Sequence, residues 1–216
     1  MELKKALINA HVQVDEQATT VYAMKRARIK VNYDRKVIYT QYSPTLQDIV
    51  AQTNLHSINL YAETLLKTIG LVVGKDGSVS TGQKMMKNYW AATGIDISGY
   101  NQEDGSGLSR LNYLTTHQMA SFLAYEMKQP SFASFKNSLP IAGQTGTLQN
   151  IADHTTAEGK IFAKSGSMYK VRSYSGYVLT KNGDLLTFSV MVDNYTCGSA
   201  EIRSKLEKIM IWMAAL

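Results

Sequence analysis

The sequence contains little of what covalent or metal cross-links require. It has one cysteine, Cys197, so an internal disulfide and a cysteine-based metal cluster are both excluded. Its four histidines are scattered, and no His-Glu-x-x-His pair occurs, which argues against a metalloprotease or a structural zinc site. We therefore expect the chain to need no metal and no cofactor.

Long apolar runs are missing as well. A helix that spans a bilayer needs roughly 20 apolar residues, and the longest apolar stretch near the end, 209–216, is too short. The N-terminal MELKKALINAH lacks the apolar core and the small-residue cleavage site of a signal peptide. We expect no membrane span in this chain and no export signal within it.

Several enzyme motifs are absent. There is no Gly-x-Gly-x-x-Gly or Walker-type loop, which excludes the common nucleotide-binding folds. There is also no Gly-x-Ser-x-Gly elbow, which excludes an α/β-hydrolase. Any hydrolytic chemistry must therefore come from a different arrangement of residues.

The composition is that of an ordinary folded protein. With 216 residues, 44% of them hydrophobic and 19% charged, the chain can bury a core, and we expect one domain. The net charge is +6, and the densest basic stretch, 25–36, alternates with apolar residues and tyrosine. We interpret this stretch as the solvated face of a strand, so we expect no nucleic-acid partner.

Periodicity predicts the first elements. Leu3, Ala6, Leu7 and Ala10 share one helical face, so the chain begins within a short amphipathic helix. A start inside a helix is the first indication that the chain is part of a longer protein. Residues 20–42 are rich in valine, isoleucine, tyrosine and threonine, which predicts strands.

The rest of the chain predicts helices followed by a sheet. The helices are expected at 44–54, at 59–69 closed by Gly70, from a cap at Ser80 to Gly94, and after a cap at Thr115 or Thr116. Strands are expected at 160–163, 173–180 and 185–192, with Asn182-Gly183 as a hairpin turn, before a helix at 200–216. This order predicts an α+β fold with an antiparallel sheet.

Three polar stretches are candidates for chemistry, and each has a simple structural alternative. Ser57 and Asn59 precede a predicted helix, where a serine is most often an N-cap. Residues 104–110, Asp-Gly-Ser-Gly-Leu-Ser-Arg, can be a plain loop held by side-chain-to-backbone bonds. Residues 164–166, Lys-Ser-Gly, can be a solvated lysine and a turn at a strand end.

Together, these stretches resemble a known pattern. Ser-x-Asn followed by Lys-[Ser/Thr]-Gly on a strand accompanies Ser-x-x-Lys in β-lactamases and penicillin-binding proteins. The chain resembles the low-molecular-mass penicillin-binding proteins of the D-alanyl-D-alanine carboxypeptidase/endopeptidase family. Its further landmarks are Ser-Pro-x-Leu at 43–46, Ala-Glu at 62–63, the loop at 104–110, Ser-Leu-Pro-x-Ala-Gly at 138–143, Gly-Thr-Leu at 146–148, and Gly-Tyr at 176–177.

The chain departs from this pattern in three places. No Ser-x-x-Lys precedes Ser57, and the literal match at 167–170 overlaps Lys-Ser-Gly at a strand end rather than at a helix N-terminus. We interpret that match as a coincidence. His56 stands where the family usually has lysine, and the arginine that often follows Gly-Thr-Leu is absent from 149–156. These departures concern the nucleophile and the details of substrate binding.

The resemblance implies a fold and a function. It implies a β-lactamase/transpeptidase-like fold, in which N- and C-terminal helices pack on the sheet beside a helical region, incomplete at the N-terminal side. Residues 1–216 would be the C-terminal portion of the penicillin-binding domain. The parent would be a periplasmic serine peptidase that acts on peptidoglycan stem peptides ending in D-Ala-D-Ala and is acylated by β-lactams.

The resemblance also implies a role for each site residue. Ser57 would relay a proton to the leaving amine, and Asn59 would orient the substrate amide. The substrate side of the site would be formed by the Lys164 charge, the Ser165 hydroxyl, the small Gly166 and the Ser167 backbone N–H, which is half of an oxyanion hole. We therefore expect Ser57 and Lys164 to lie on opposite walls of one groove.

Two alternatives remain beside the enzyme fragment. A non-catalytic module of the same fold would bind peptidoglycan peptides without cleaving them, and a scaffold would use the motifs only for folding. If the nucleophile lies outside this chain, we expect the chain alone to have no peptidase activity and to form no covalent penicillin adduct.

Overall fold

A computed structural model describes residues 2–14, 17, 19–34, 36–37 and 39–216. The described residues form two compact units, Met1–Ser43 and Pro44–Leu216. The assignment of residues 1–216 to one portion of a larger domain stays a prediction. None of the described helices is long and apolar enough to cross a membrane.

The described part of the first unit contains two short helices. Helix α1 is Glu2–Asn9, which confirms the helix predicted at the start of the chain. Helix α2 is Val21–Arg26, and the Thr20 hydroxyl caps it by accepting a hydrogen bond of 3.1 Å from the Ala23 N–H. How α1 packs on a sheet stays a prediction.

The strands predicted at 20–42 are wrong for the described residues of that range, where one segment is helical and the others form no strand. Threonine before the segment caps a helix, and Arg28, with a φ of 56°, ends the turn that follows it. Strand propensity needs a neighbouring strand to pair with, and the described part of this unit contains none. The interpretation of 25–36 as a strand face fails with it. Arg35 and Ile38 lie outside the described residues.

The second unit begins with helices close to those predicted. Each of α3, α5 and α6 starts at a hydroxyl that accepts a backbone N–H, and the caps are Thr45, Ser78 and Thr115. The cap of α5 is therefore Ser78 rather than the predicted Ser80. The helices are α3 Leu46–His56, α4 Asn59–Gly74, α5 Val79–Ala92, α6 Thr116–Glu126 and α7 Phe132–Ser138, followed by a short 3-10 helix, Gly146–Leu148. The predicted end of α4 at Gly70 is wrong, because the helix continues through the buried Gly70 to Gly74.

A three-stranded antiparallel sheet follows, in the order β1-β2-β3. The strands are β1 Ile161–Met168, β2 Val171–Leu179 and β3 Leu185–Asp193. The last two form the predicted hairpin, and Gly183 has the positive φ of 90° that its tight turn requires. The predicted α+β fold class is confirmed. Strand β1 runs five residues beyond its predicted end, because Lys164 to Met168 also pair with β2.

Each face of the sheet packs against helices. On one face, Ile161, Ala163 and Tyr174 pack with the buried side of α8, Ser199–Ala214. On the other face, Tyr177 packs with Leu123 of α6 and donates a hydrogen bond of 3.1 Å to its carbonyl oxygen. The C-terminal helix therefore packs on the sheet as predicted, and strand β1 lies between this core and the helical region.

Candidate functional site

Ser57 lies in the joint between α3 and α4 and does not cap the second helix. It is the C-terminal cap residue of α3, with φ 55° and ψ 48°, and Ile58 occupies the N-cap position of α4 without a side-chain cap. The simple N-cap alternative for Ser57 is therefore wrong. Left-handed backbone is unfavourable for a serine by about 1–2 kcal/mol, and Ser57 is exposed at this joint.

Lys164 points at that hydroxyl. Its ammonium donates a hydrogen bond of 2.9 Å to Ser57 Oγ and another of 2.7 Å to the Ser165 carbonyl oxygen. Lys164 shares a face of β1 with Phe162, which packs toward Tyr177 and the helical region. Burial lowers the pKa of Lys164 from its ordinary value, because desolvation disfavours the charged form. The solvated-lysine alternative is therefore wrong. Ser57 and Lys164 are in direct contact, and their position on opposite walls of one substrate groove stays a prediction.

A second hydroxyl pair lies beside the first. Ser165 donates a hydrogen bond of 2.8 Å to Thr147 Oγ1, in the short Gly146–Leu148 helix. A Cβ on Gly146 would approach the Leu55 carbonyl oxygen to 2.7 Å, and the φ of Gly146 is 58°. Only glycine fits there, so this position brings Thr147 against the end of α3. We call Ser57, Thr147 and residues 164–167 the Ser57–Lys164 site.

The outer edge of β1 is open along this site. The Leu179 N–H donates to the Lys160 carbonyl oxygen, so residues 160, 162, 164 and 166 exchange backbone bonds with β2. The odd-numbered residues face outward, and 161 and 163 bond there to the 140–142 segment. Within the described part of the second unit, no strand pairs with this edge beyond residue 163. Ser165 and Ser167 therefore direct their backbone groups to a free sheet edge.

The end of α3 is tied to the segment that borders β1. The Asn54 amide donates a hydrogen bond of 2.8 Å to the buried Ser138 hydroxyl. Two residues later, the Pro140 carbonyl oxygen accepts a hydrogen bond of 3.0 Å from the Ala163 N–H. This short path connects the Ser57 joint to the start of β1, which explains how residues 107 positions apart meet.

The 104–110 loop packs closely against α4 and hydrogen-bonds to it. The Gly105 N–H donates a hydrogen bond of 2.7 Å to the Glu63 carboxylate, and a Cβ on Gly105 would lie 2.4 Å from the Ala62 carbonyl oxygen. Burial alone would raise the pKa of Asp104, but hydrogen bonds from Asn112 and from two backbone N–H groups of the loop outweigh it, and the pKa is lowered. The simple alternative, a loop held by side-chain-to-backbone hydrogen bonds, fits Asp104. The contacts of Gly105 with Ala62 and Glu63 explain why the Ala-Glu motif and this loop occur together.

The remaining predicted residues are less constrained. Asn59 is the first residue of α4 and is exposed. Ser167 lies in β1 opposite Arg172, and Lys170 is in the turn after the strand, so the literal Ser-x-x-Lys match at 167–170 is not at a helix N-terminus. A Cβ on Gly166 would lie 2.5 Å from Ser173 Oγ, a side-chain atom that can rotate away. The catalytic and binding roles of all these residues stay predictions.

Sequence reasoning did not single out Thr147 or Glu63. Both lie inside motifs that were recognised only as landmarks, Gly-Thr-Leu and Ala-Glu, so the signal was present. Away from the site, Asp153, His154 and Glu158 are exposed and bring one donor atom each within 4.8 Å of one another. These three residues could hold a metal ion, although exposed acidic groups commonly lie together without one.

Comparison with known proteins identifies the family. The model of the D-Ala-D-Ala carboxypeptidase 3 (S13) family matches residues 3–216. A D-alanyl-D-alanine carboxypeptidase of Actinomadura sp. (strain R39) is 34% identical over 174 residues, covering 78% of this chain and 32% of that protein. The D-alanyl-D-alanine carboxypeptidase DacB of Haemophilus influenzae is 24% identical over 88% of this chain and 43% of that protein. The chain thus spans less than half the length of these relatives.

Solved structures agree on the fold. Penicillin binding protein 4 of Haemophilus influenzae, in complex with a β-lactam, has a TM-score of 0.69 at 24% identity and covers 88% of this chain and 47% of its own. The TLA-3 extended-spectrum β-lactamase has a TM-score of 0.59 at 15% identity, over 78% of this chain and 65% of its own. At these identities the likeness shows the fold alone. The family match confirms the resemblance seen in the motifs: the chain belongs to the D-Ala-D-Ala carboxypeptidase 3 (S13) family.

Proposed function

We propose that the Ser57–Lys164 site binds the D-Ala-D-Ala end of a peptidoglycan stem peptide as part of a serine peptidase. The observation that carries this proposal is the 2.9 Å hydrogen bond between the Lys164 ammonium and the Ser57 hydroxyl. It joins a partly buried positive charge to a hydroxyl group that can pass a proton on. A substrate that ends in a carboxylate suits such a charge.

The free edge of β1 supports the proposal that the substrate binds in an extended conformation. A peptide added along this edge as a further strand would meet the outward backbone groups of Ser165 and Ser167. Its terminal carboxylate would lie near the Lys164 ammonium and the Ser165 hydroxyl, which Thr147 holds in place. Gly166 leaves the substrate room to pass close to the strand.

The chemistry requires a nucleophile that we place outside this chain. In the proposed reaction, an incoming serine attacks the carbonyl carbon between the two D-alanines. Ser57 relays a proton toward the leaving amine, and Asn59 orients the substrate amide. The Ser167 N–H supplies one donor to the developing oxyanion, and the nucleophile's own N–H supplies the other. Losing one such donor lowers the rate by about a hundred- to a thousandfold, and losing the nucleophile removes the acyl-enzyme entirely.

The parent protein is therefore proposed to be a periplasmic D-Ala-D-Ala carboxypeptidase or endopeptidase whose nucleophilic serine β-lactams acylate. The 216-residue chain by itself is proposed to bind without cleaving. Incubation with a labelled penicillin, followed by intact-mass measurement, should give no mass increase. A covalent adduct on any serine of this chain would contradict this part of the proposal.

Binding is tested by titrating the ¹⁵N-labelled chain with acetyl-D-Ala-D-Ala and following the backbone amides of 165–167. We expect saturable shifts there, and none with acetyl-L-Ala-L-Ala. Lys164→Met should weaken the binding at least roughly tenfold through loss of a charge-assisted bond. Lys208→Met, at an exposed position of α8, is the matched control and should leave the binding unchanged. Equal responses to the D and L peptides would overturn the proposal.

A non-catalytic binding module predicts the same titration result. The two functions are distinguished by the sequence of the parent gene. A Ser-x-x-Lys upstream of this segment favours the peptidase, whereas a parent without it favours the module. Within this chain the only literal Ser-x-x-Lys match, at 167–170, lies at a strand end. This match therefore supplies no nucleophilic serine at a helix N-terminus for either function.

A further inference from the structure

A cavity of about 410 Å³ lies on the α8 side of the sheet, and Ser57, Thr147 and Lys164 are not part of its lining. Strand β2 and the first turns of α8 contribute most of its lining. The residues that line it are Arg172, Ser199, Ala200, Arg203, Ser204 and Glu207. Two guanidinium groups therefore share one cavity, which is unusual unless an anion separates them or binds between them.

Among the described residues, neither arginine forms an ion pair with a carboxylate, although Glu207 lines the same cavity. Arg172 donates a hydrogen bond of 3.0 Å from Nη2 to the Ser199 hydroxyl, and Arg203 donates to the Asn150 carbonyl oxygen. The ion pairs of the described residues involve other side chains. The Arg172 Nε–H is also buried and, among the described residues, has no acceptor. A guanidinium keeps all five of its N–H donors at any ordinary pH, so this donor cannot be removed by titration.

The charge of the lining indicates the kind of ligand. Glu207 also lines the cavity, and its carboxylate accepts a hydrogen bond of 2.6 Å from the Ala152 N–H. Two positive charges and one negative charge leave a net charge of +1, which matches a single carboxylate better than a phosphate dianion. The planar fork of an arginine fits the two oxygens of a carboxylate.

From these observations we propose that the Arg172–Arg203 cavity binds one carboxylate group of an acidic peptide side chain. One carboxylate oxygen faces the outer nitrogens of the Arg172 guanidinium, and Arg203 together with the Ser199 and Ser204 hydroxyls faces the other oxygen. Arg172 is the direct cross-strand neighbour of Ser167, so the cavity adjoins the end of β1 that carries the site. A carboxylate bound here would lie beside the strand but on its other face.

The test follows the Arg172 Nε–Hε resonance in the ¹⁵N-labelled chain, assigned from its loss in Arg172→Lys. The probe is N-acetyl-glutamic acid α-amide, and its neutral counterpart is N-acetyl-glutamine amide. We expect the acidic probe to shift this resonance downfield in a saturable manner and the neutral one to leave it in place. Because neither probe contains D-alanine, failure here would leave the proposed D-Ala-D-Ala function intact, and the reverse also holds.

Two variants give the matched comparison. Arg203→Gln should weaken the binding of the acidic probe at least roughly tenfold, as expected for a lost charge-assisted bond. Lys208→Gln removes one positive charge from an exposed position of the same helix, outside the cavity, and should change the binding less than twofold, within roughly the range of surface effects. Equal shifts with both probes, or equal losses in both variants, would overturn the proposal. The comparison of probes needs no variant, so it stands even if Arg203→Gln fails to fold.

Discussion

The Lys164 ammonium lies 2.9 Å from the Ser57 hydroxyl, across 107 positions of sequence. Neither residue is placed by its own element alone. Ser57 occupies a left-handed joint between two helices, and Lys164 occupies the middle of an edge strand that its own sheet leaves open on one side. The two are brought together by the contacts that tie the end of α3 to the segment bordering β1.

The backbone of Ser57 is the first place to test this arrangement. Ser57→Gly removes both the hydroxyl and the strain of a φ of 55°, whereas Ser57→Ala removes only the hydroxyl. We expect the glycine variant to exceed the alanine variant in free energy of unfolding by about 1 kcal/mol, because glycine adopts the left-handed region freely. Urea denaturation of the two variants measures this difference. An alanine variant as stable as the glycine variant would show that the joint is not left-handed.

Gly105 tests the contact between the 104–110 loop and α4. Its Cβ would lie 2.4 Å from the Ala62 carbonyl oxygen and 2.8 Å from the Glu63 Cα, which are backbone atoms that cannot rotate away. Gly105→Ala should therefore lower the free energy of unfolding by about 1–3 kcal/mol. The control is Gly77→Ala, where the closest atom to a Cβ would be the Leu71 Cβ at an ordinary 3.6 Å. A loss of the same size in both variants would mean that loop and helix do not touch.

Asp104 predicts a pH dependence. Its hydrogen bonds hold the carboxyl pKa below the ordinary value of 3.8, so the unfolded chain takes up the proton first as the pH falls. The stabilisation is complete above that ordinary value and is lost as the pH falls through the folded-state pKa. Asp104→Asn should lower the stability at neutral pH by about 1 kcal/mol, a modest value because the group is only partly buried, and should flatten the acid limb below pH 3.8.

The measurement is urea denaturation between neutral pH and the acid limb. The control is Asp184→Asn, which changes an exposed carboxyl in the turn between β2 and β3. If the acid limb of Asp104→Asn has the same slope as that of the unmodified chain, the hydrogen bonds to Asp104 do not form in the folded protein.

Local sequence signals correctly predicted those elements whose ends are set by capping or turn residues. Helix α6 began where Thr115 and Gln118 allow a capping box, and the β2–β3 hairpin turned at Asn182-Gly183. The strands expected at 20–42 failed for the opposite reason, because strand-forming residues do not form a strand without a neighbour to pair with.

Only part of the candidate site could be predicted from the sequence. The motifs identified Ser57 and Lys164 as a pair, but the left-handed backbone of Ser57 depends on how α3, α4 and β1 meet, which no local pattern encodes. Thr147 was recognised only as part of the Gly-Thr-Leu landmark, because its role at the site arises only when its hydroxyl meets Ser165. Tertiary contacts of this kind override the local N-cap preference of serine.

The most direct test of the central claim is a crystal structure of the chain with acetyl-D-Ala-D-Ala. We predict the peptide as an added strand on the outer edge of β1, with its terminal carboxylate within hydrogen-bonding distance of the Ser165 hydroxyl and beside the Lys164 ammonium. The Ser57 hydroxyl should remain within hydrogen-bonding distance of the Lys164 ammonium, as it is in the chain alone. A peptide bound at another surface, or a Lys164 ammonium that does not reach Ser57, would contradict the account.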